Sequence, residues 1–191
     1  MLKSLLIPIL GIFVFTLINK NSVPNSGYEP KSVFVAKPVE AVAETESPVS
    51  FYIPKIGKSA QVIAVGLDET NRTPIPEQNT QVAWYKFGGK LGENGSVVLA
   101  GHHFWNNAPG VFGRLKDLRV HDRIEVRGET GKNYVFEVKE IQTYQRTAFP
   151  SEKVYFSSDT QRLTLVTCAG RYDTVAGDFD QRLVVYATRV G

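Results

Sequence analysis

Cysteine is almost absent from this chain: Cys168 is the single one among 191 residues. That excludes an intramolecular disulfide and a zinc site assembled from several thiolates. An excess of charge of one sign is also missing. The formal net charge is +3, with lysines and arginines interspersed among aspartates and glutamates. Such a pattern gives no basic stripe, and no nucleic-acid partner is expected. No internal repeat, low-complexity tract or carboxylate cluster of the calcium-binding kind is found, so no metal or other cofactor is expected. Long apolar runs are equally scarce. The one near the N-terminus, Leu5 to Ile18, reaches only about 21 Å as a helix, against ~30 Å for a hydrocarbon core.

That run is flanked by Lys3 and Lys20. A small-x-small cleavage site does not follow it closely, since Ala41-Val42-Ala43 lies too far downstream. Residues 1–20 read as a hydrophobic anchor or a secretory signal, and the missing cleavage site favours an uncleaved N-terminal anchor in the cell membrane. Lysines would snorkel at both ends, and the rest of the chain would lie outside the cytoplasm. Residues 21–50 carry Asn, Ser, Pro, Gly, Glu and Ala with little apolar periodicity, as a flexible polar linker does.

From Phe51 to Gly191 the pattern changes to short apolar or alternating runs separated by turn residues. They include Phe51-Tyr52-Ile53, Gln61–Val65, Ser96–Ala100, Arg123–Arg127, Asn133–Val138, Arg162–Thr167 and Leu183–Ala187. Ile124/Val126 and Tyr134/Phe136/Val138 repeat with period two, as half-buried strands do. Gly128-Glu129-Thr130-Gly131 between them reads as a hairpin loop. Helical periodicity is weak and confined to Gly110–Leu118 and the 150s. The expected fold is an all-β barrel or sandwich with one or two short helices.

Reactive side chains occur in three promising settings. An apolar strand, Leu99-Ala100-Gly101, leads into His102 and His103; another, Thr164–Thr167, ends at Cys168; and Arg182 opens the run Leu183–Tyr186. Strand ends at one rim of a barrel can gather residues distant in sequence. A thiol is nucleophilic as its thiolate. A free thiol (pKa ~8.5) beside an imidazole (~6.5) is mostly neutral at pH 7, so the attacking species is expected to be a minority thiolate–imidazolium form. Arg182 suits a clamp on the carbonyl oxygen, where negative charge develops, and His102 suits proton transfer to and from the amine.

Thr164-Leu165-Val166-Thr167-Cys168 resembles the TLxTC signature of the sortases. Leu99-Ala100-Gly101-His102 is similar to the segment that ends in that family's catalytic histidine, and Arg182 falls where its arginine falls. The resemblance covers Phe51 to Arg189. It implies an eight-stranded β-barrel and a cysteine transpeptidase with His102, Cys168 and Arg182 as catalytic residues. It also implies cleavage of an LPxTG-like motif between Thr and Gly through a thioester. The acyl group then passes to an amine, such as one on a cell-wall precursor. Partners implied are surface proteins bearing sorting signals, the acceptor amine and the membrane. The stretch Thr147–Gln161 corresponds to the loop that shapes the motif pocket, so Phe149, Pro150, Val154 and Tyr155, with Ala100, Thr167 and His103, are the expected substrate-binding residues. His121 sits in an expected turn and is a bystander. Val82-Ala83-Trp84-Tyr85 and Gly110–Leu115 look similar to class E and class F members. Two other readings share these residues: an inactive extracellular β-barrel binding module, and a cysteine peptidase that uses water as acceptor. A pilin-polymerising role is expected less, because the sequence stops at Gly191, just after its last expected strand.

Overall fold

In the computed structural model, residues 44–69, 72–156 and 158–191 are described. The expected anchor and the linker as far as residue 43 lie outside the described residues. Among the described residues no helix is long and apolar enough to cross a membrane.

Strands follow the apolar alternation. β1 (Pro48–Ile53), β2 (Lys58–Val65), β3 (Gln81–Tyr85) and β4 (Gly95–Ala100) come first. A small hairpin follows, β5 (Phe104–Trp105) with β6 (Ala108–Pro109). Then come β7 (Arg123–Gly128), β8 (Asn133–Gln145), β9 (Gln161–Asp173) and β10 (Asp178–Arg189). One α-helix, α1 (Ser151–Tyr155), lies between β8 and β9. Eight strands close into a barrel in the order β1-β2-β3-β4-β9-β10-β8-β7, leaving no free edge. The eight-stranded all-β expectation and the short helix in the 150s are met. Around Gly110–Leu118 only a 3-10 turn, Leu115–Asp117, forms.

The barrel interior is packed with Ile53, Val97, Leu99, Ile124, Phe136, Leu163, Leu165 and Val185. The neighbouring positions on the same strands point the other way. Val98, Ala100, Val166, Val184 and Tyr186 form a second apolar cluster with Ala83, Tyr85 and Val154. β4, β9 and β10 are thus buried on both faces, which is why their sequences are continuous apolar runs rather than alternating ones. β7 and the first half of β8 alternate because their outer face is wet.

Three features differ from the sequence reading. β1 starts at Pro48, inside the expected linker, and Glu46 before it is buried. Glu46 accepts hydrogen bonds from the Tyr134 hydroxyl (2.6 Å), the Thr130 amide and the Thr130 hydroxyl (both 2.8 Å). Burial opposes its ionisation, but these bonds and the nearby Lys132 hold its pKa below the ordinary carboxylate value. Second, β9 runs past Cys168 to Asp173. Third, β10 begins before Arg182, at Asp178. Cys168 and Arg182 therefore lie inside a ladder rather than at strand ends. The extra arms carry exposed polar residues, so apolar pattern alone does not reveal them.

Candidate active site

The outer apolar face of β3, β4, β9 and β10 is the floor of a cleft of about 620 Å³. One wall is α1 with the turn before it, and the other is the connection from β2 to β3, through Leu67, Arg72, Thr73 and Ile75. The α1 wall is fastened to the floor. Val154 is fully buried, and its carbonyl accepts from the Ser96 hydroxyl at 3.0 Å. The Arg162 guanidinium donates to the Lys153 carbonyl, and Lys153 pairs with Glu140 at 2.9 Å. Tyr155 and Thr73 meet across the cleft, hydroxyl to hydroxyl, at 3.3 Å.

His102, Cys168 and Arg182 all line this cleft. Parallel pairing of β4 with β9 sets Ala100 against Val166, so two residues on, His102 just past β4 and Cys168 within β9 stand at one level. Antiparallel pairing of β9 with β10 places Arg182 directly opposite Cys168, and directly paired residues share a face. The Thr167 hydroxyl donates to the Gly101 carbonyl at 2.8 Å, tying the residue before the cysteine to the residue before the histidine.

The chain around His102 is held closely. A Cβ on Gly101 would lie 2.8 Å from the Phe112 ring, and one on Gly110 would lie 2.1 Å from the His102 carbonyl oxygen. Only glycine permits either approach. The segment after the hairpin bonds back to both histidines, Gly110 N–H to the His103 carbonyl (2.9 Å) and Phe112 N–H to the His102 carbonyl (3.1 Å). The His102 imidazole stacks on Trp105 with centroids 4.4 Å apart and planes 19° from parallel. Its Nε2 is buried without a hydrogen-bond partner.

Electrostatics favour a neutral resting pair. Burial pushes the Cys168 thiol above its ordinary value; Arg182 pulls it down and Asp178 pushes it up. Burial also lowers the His102 pKa, opposed by the Pro76 carbonyl, as a hydrogen-bond acceptor, and by Glu77. Arg182 is firmly placed: it donates to Asp178 Oδ2 (2.6 Å) and to the carbonyls of Phe179 (3.0 Å) and Gln181 (2.9 Å).

Of the expected substrate-binding residues, Ala100, Phe149, Tyr155 and Thr167 line the cleft. Val154 lies beneath it in the packed cluster, Pro150 sits at the start of α1, and His103 packs edge-on against Phe179 at 5.9 Å. His121 is at an exposed turn with φ 76° and bonds Glu137. Sequence reasoning missed Arg72, Thr73, Arg146, Asp178 and Trp105, because loops, short turns, a two-residue strand and the polar start of β10 carry no periodic signal. Among the described residues no group of His, Cys, Asp or Glu is arranged to hold a metal ion. A second depression, lined by Ser50, Tyr52, Gln61, Glu125 and Arg127, contains neither a thiol nor an imidazole.

Over residues 51–190 the sequence matches the family model described as Sortase domain. The chain belongs to the sortase family. The fold agrees with solved sortases. A Clostridium perfringens sortase D5 transpeptidase superposes with a TM-score of 0.56 at 22% identity, over 78% of this chain and 82% of that one. A lid mutant of Streptococcus agalactiae sortase C1 gives 0.58 at 21% identity, covering 78% and 72%. A lid mutant of sortase A from Corynebacterium diphtheriae gives 0.59 at 23% identity, covering 78% and 73%. These sortases share the barrel with the present chain. No curated protein matches its sequence.

Proposed function

We propose that this sortase is a cysteine transpeptidase that cleaves an LPxTG-like motif between Thr and Gly. The observation that carries the reading is the convergence in one cleft of Cys168, the paired Arg182 and a His102 Nε2 with no other partner. The Cys168 sulfur attacks the threonine carbonyl carbon, forming the C–S bond. Arg182 stabilises the charge on the carbonyl oxygen. His102 holds the thiol proton and passes it to the departing glycine nitrogen as the C–N bond breaks. A thioester remains. An incoming amine attacks it and loses a proton to His102. The C–S bond breaks, and the sulfur leaves as thiolate.

The neutral thiol and imidazole implied by the pKa directions support attack by a minority thiolate–imidazolium pair. Acceptor amines on a cell-wall precursor or another surface protein fit this chemistry. Attachment to the cell membrane through residues 1–20, with the barrel outside, is proposed from the sequence of that segment, and membership of class E or F from Val82-Ala83-Trp84-Tyr85 and Gly110–Leu115.

The test is intact mass spectrometry of the full chain with an LPxTG-type peptide, with and without triglycine. A Cys168 adduct that converts to a triglycine-joined peptide is the expected result. An adduct released only by water would make the chain a peptidase. No adduct on a Cys168 that also resists alkylation would leave an inactive binding module.

A further inference from the structure

Arg146 opens the 3-10 turn Arg146–Ala148 at the end of β8, and it lines the cleft. Its Nε is buried with no hydrogen-bond partner. Its ion-pair partner is Asp178, at 4.0 Å, and that carboxylate is already bound by Arg182 at 2.6 Å. Arg182 and Asp178 largely cancel each other, and Arg146 is left with a charge and a buried N–H to satisfy. The side chain is 36% exposed, so water partly hydrates the charge, and the buried Nε–H is the group that lacks an acceptor.

Among the described residues lining the cleft, Asp178 is the one carboxylate, against the three guanidinium groups of Arg72, Arg146 and Arg182; Asp68, which accepts from the Arg72 amide at 2.9 Å, stands beside Arg72. Glu77 acts on His102 but does not line the cleft. The surplus is cationic. A peptide carbonyl would fill the Nε–H but leave the charge, whereas a carboxylate meets both through the guanidinium fork.

We propose that Arg146 recognises a carboxylate on the sorting segment, at the variable position immediately before the scissile threonine. This rests on the sorting-peptide reading above. The position follows from reach. Arg182 stands opposite Cys168, and Asp178 bridges Arg182 to Arg146. An anion bound at Arg146 is thus one bridge beyond the reacting carbonyl, which an extended chain advancing ~3.3–3.6 Å per residue covers in one or two residues.

The experiment uses the full chain and peptides of the form LPxTG with Glu, Gln or Lys at x, and measures kcat/KM for acylation of Cys168. The Glu peptide is expected to exceed the Gln peptide about tenfold, with Lys lowest, the size of one charge-assisted contact in a half-open cleft. In Arg146→Gln the Glu-to-Gln ratio falls toward one. In Arg146→Lys part of it persists, because charge remains but the fork is lost. Equal rates in the unaltered protein, or a ratio unchanged in Arg146→Gln, overturn the inference. The ratio is internal to each variant, so a general loss of fold or rate does not mimic the result. Should Arg146→Gln not fold, the unaltered protein and Arg146→Lys still decide. Acylation by none of the peptides removes the sorting-peptide reading itself, a different failure from equal acylation by all.

Discussion

Thr167→Val tests whether the cleft is assembled by the link between β4 and β9. Thr167 is 3% exposed, and its hydroxyl donates to the Gly101 carbonyl at 2.8 Å. Valine keeps the shape and removes the donor. The lost bond is worth ~0.5–1.5 kcal/mol net, and a stranded buried carbonyl adds to the loss, so a destabilisation of about 2 kcal/mol is expected. For a domain of this size that lowers Tm by roughly 5–8 °C. Activity falls further than stability explains, because Gly101 precedes His102 and Thr167 precedes Cys168. A displacement well under 1 Å between base and nucleophile costs about tenfold in acylation. Urea denaturation gives the first quantity and single-turnover peptide acylation the second. Thr167→Ser, which keeps the hydroxyl, should recover most of both. A valine variant as stable and as fast as the unaltered protein would refute the argument. One that is destabilised but acylates normally would limit the bond to holding the barrel.

Other expectations follow from the same geometry. His102→Ala should lose nearly all acylation, whereas His103→Ala, packed on Phe179 outside the cleft, should lose a few-fold at most in a kcat/KM assay. The kcat/KM profile against pH should be a broad bell, its acid limb below the ordinary imidazole value (~6.5) and its alkaline limb above the ordinary thiol value (~8.5), because burial moves both groups that way. Asp178→Asn removes a negative charge that opposes the thiolate and releases Arg182, so the alkaline limb should move to lower pH. An unmoved limb would remove Asp178 from the electrostatics of the site. Glu46→Gln should cost about 2 kcal/mol in urea unfolding at pH 7, since the charged acceptor of its bonds is lost. The Glu46 pKa is depressed on folding, so its contribution is present above the ordinary carboxylate value and is lost as pH falls through the folded value. The difference between the variant and the unaltered protein should shrink accordingly in acid.

Much of the barrel is legible because burial leaves marks in sequence. The alternation at Ile124/Val126 and Tyr134/Phe136/Val138 is that of strands with one wet face. Ser96–Ala100 and Leu163–Val166 are unbroken runs because α1 and the β2–β3 connection cover their outer side. The positions of His102, Cys168 and Arg182 are legible through motif and order. Glu46 is not, since a glutamate in a polar, linker-like stretch reads as solvated until Tyr134 and Thr130, far along the chain, come to meet it. The walls are not legible either. Arg72 in the β2–β3 connection, Arg146 in a 3-10 turn and Asp178 at the polar start of β10 face the cleft on a course set by tertiary packing, and no local period announces it.

The parallel pairing of β4 with β9 also orders events in time. The bond from Thr167 to Gly101 joins residues 66 positions apart, while Cys168 and Arg182 meet across a short hairpin. Local hairpins close quickly, and distant pairings wait on the entropy of a long loop. By this reasoning the thiol gains its guanidinium neighbour before its imidazole. A chain that has formed its hairpins but not its barrel carries the nucleophile without the base, and it cannot acylate. On the proposed mechanism, acylation of Cys168 therefore reports that β4 has joined β9, and a species that lacks this pairing is expected to be silent in a peptide assay.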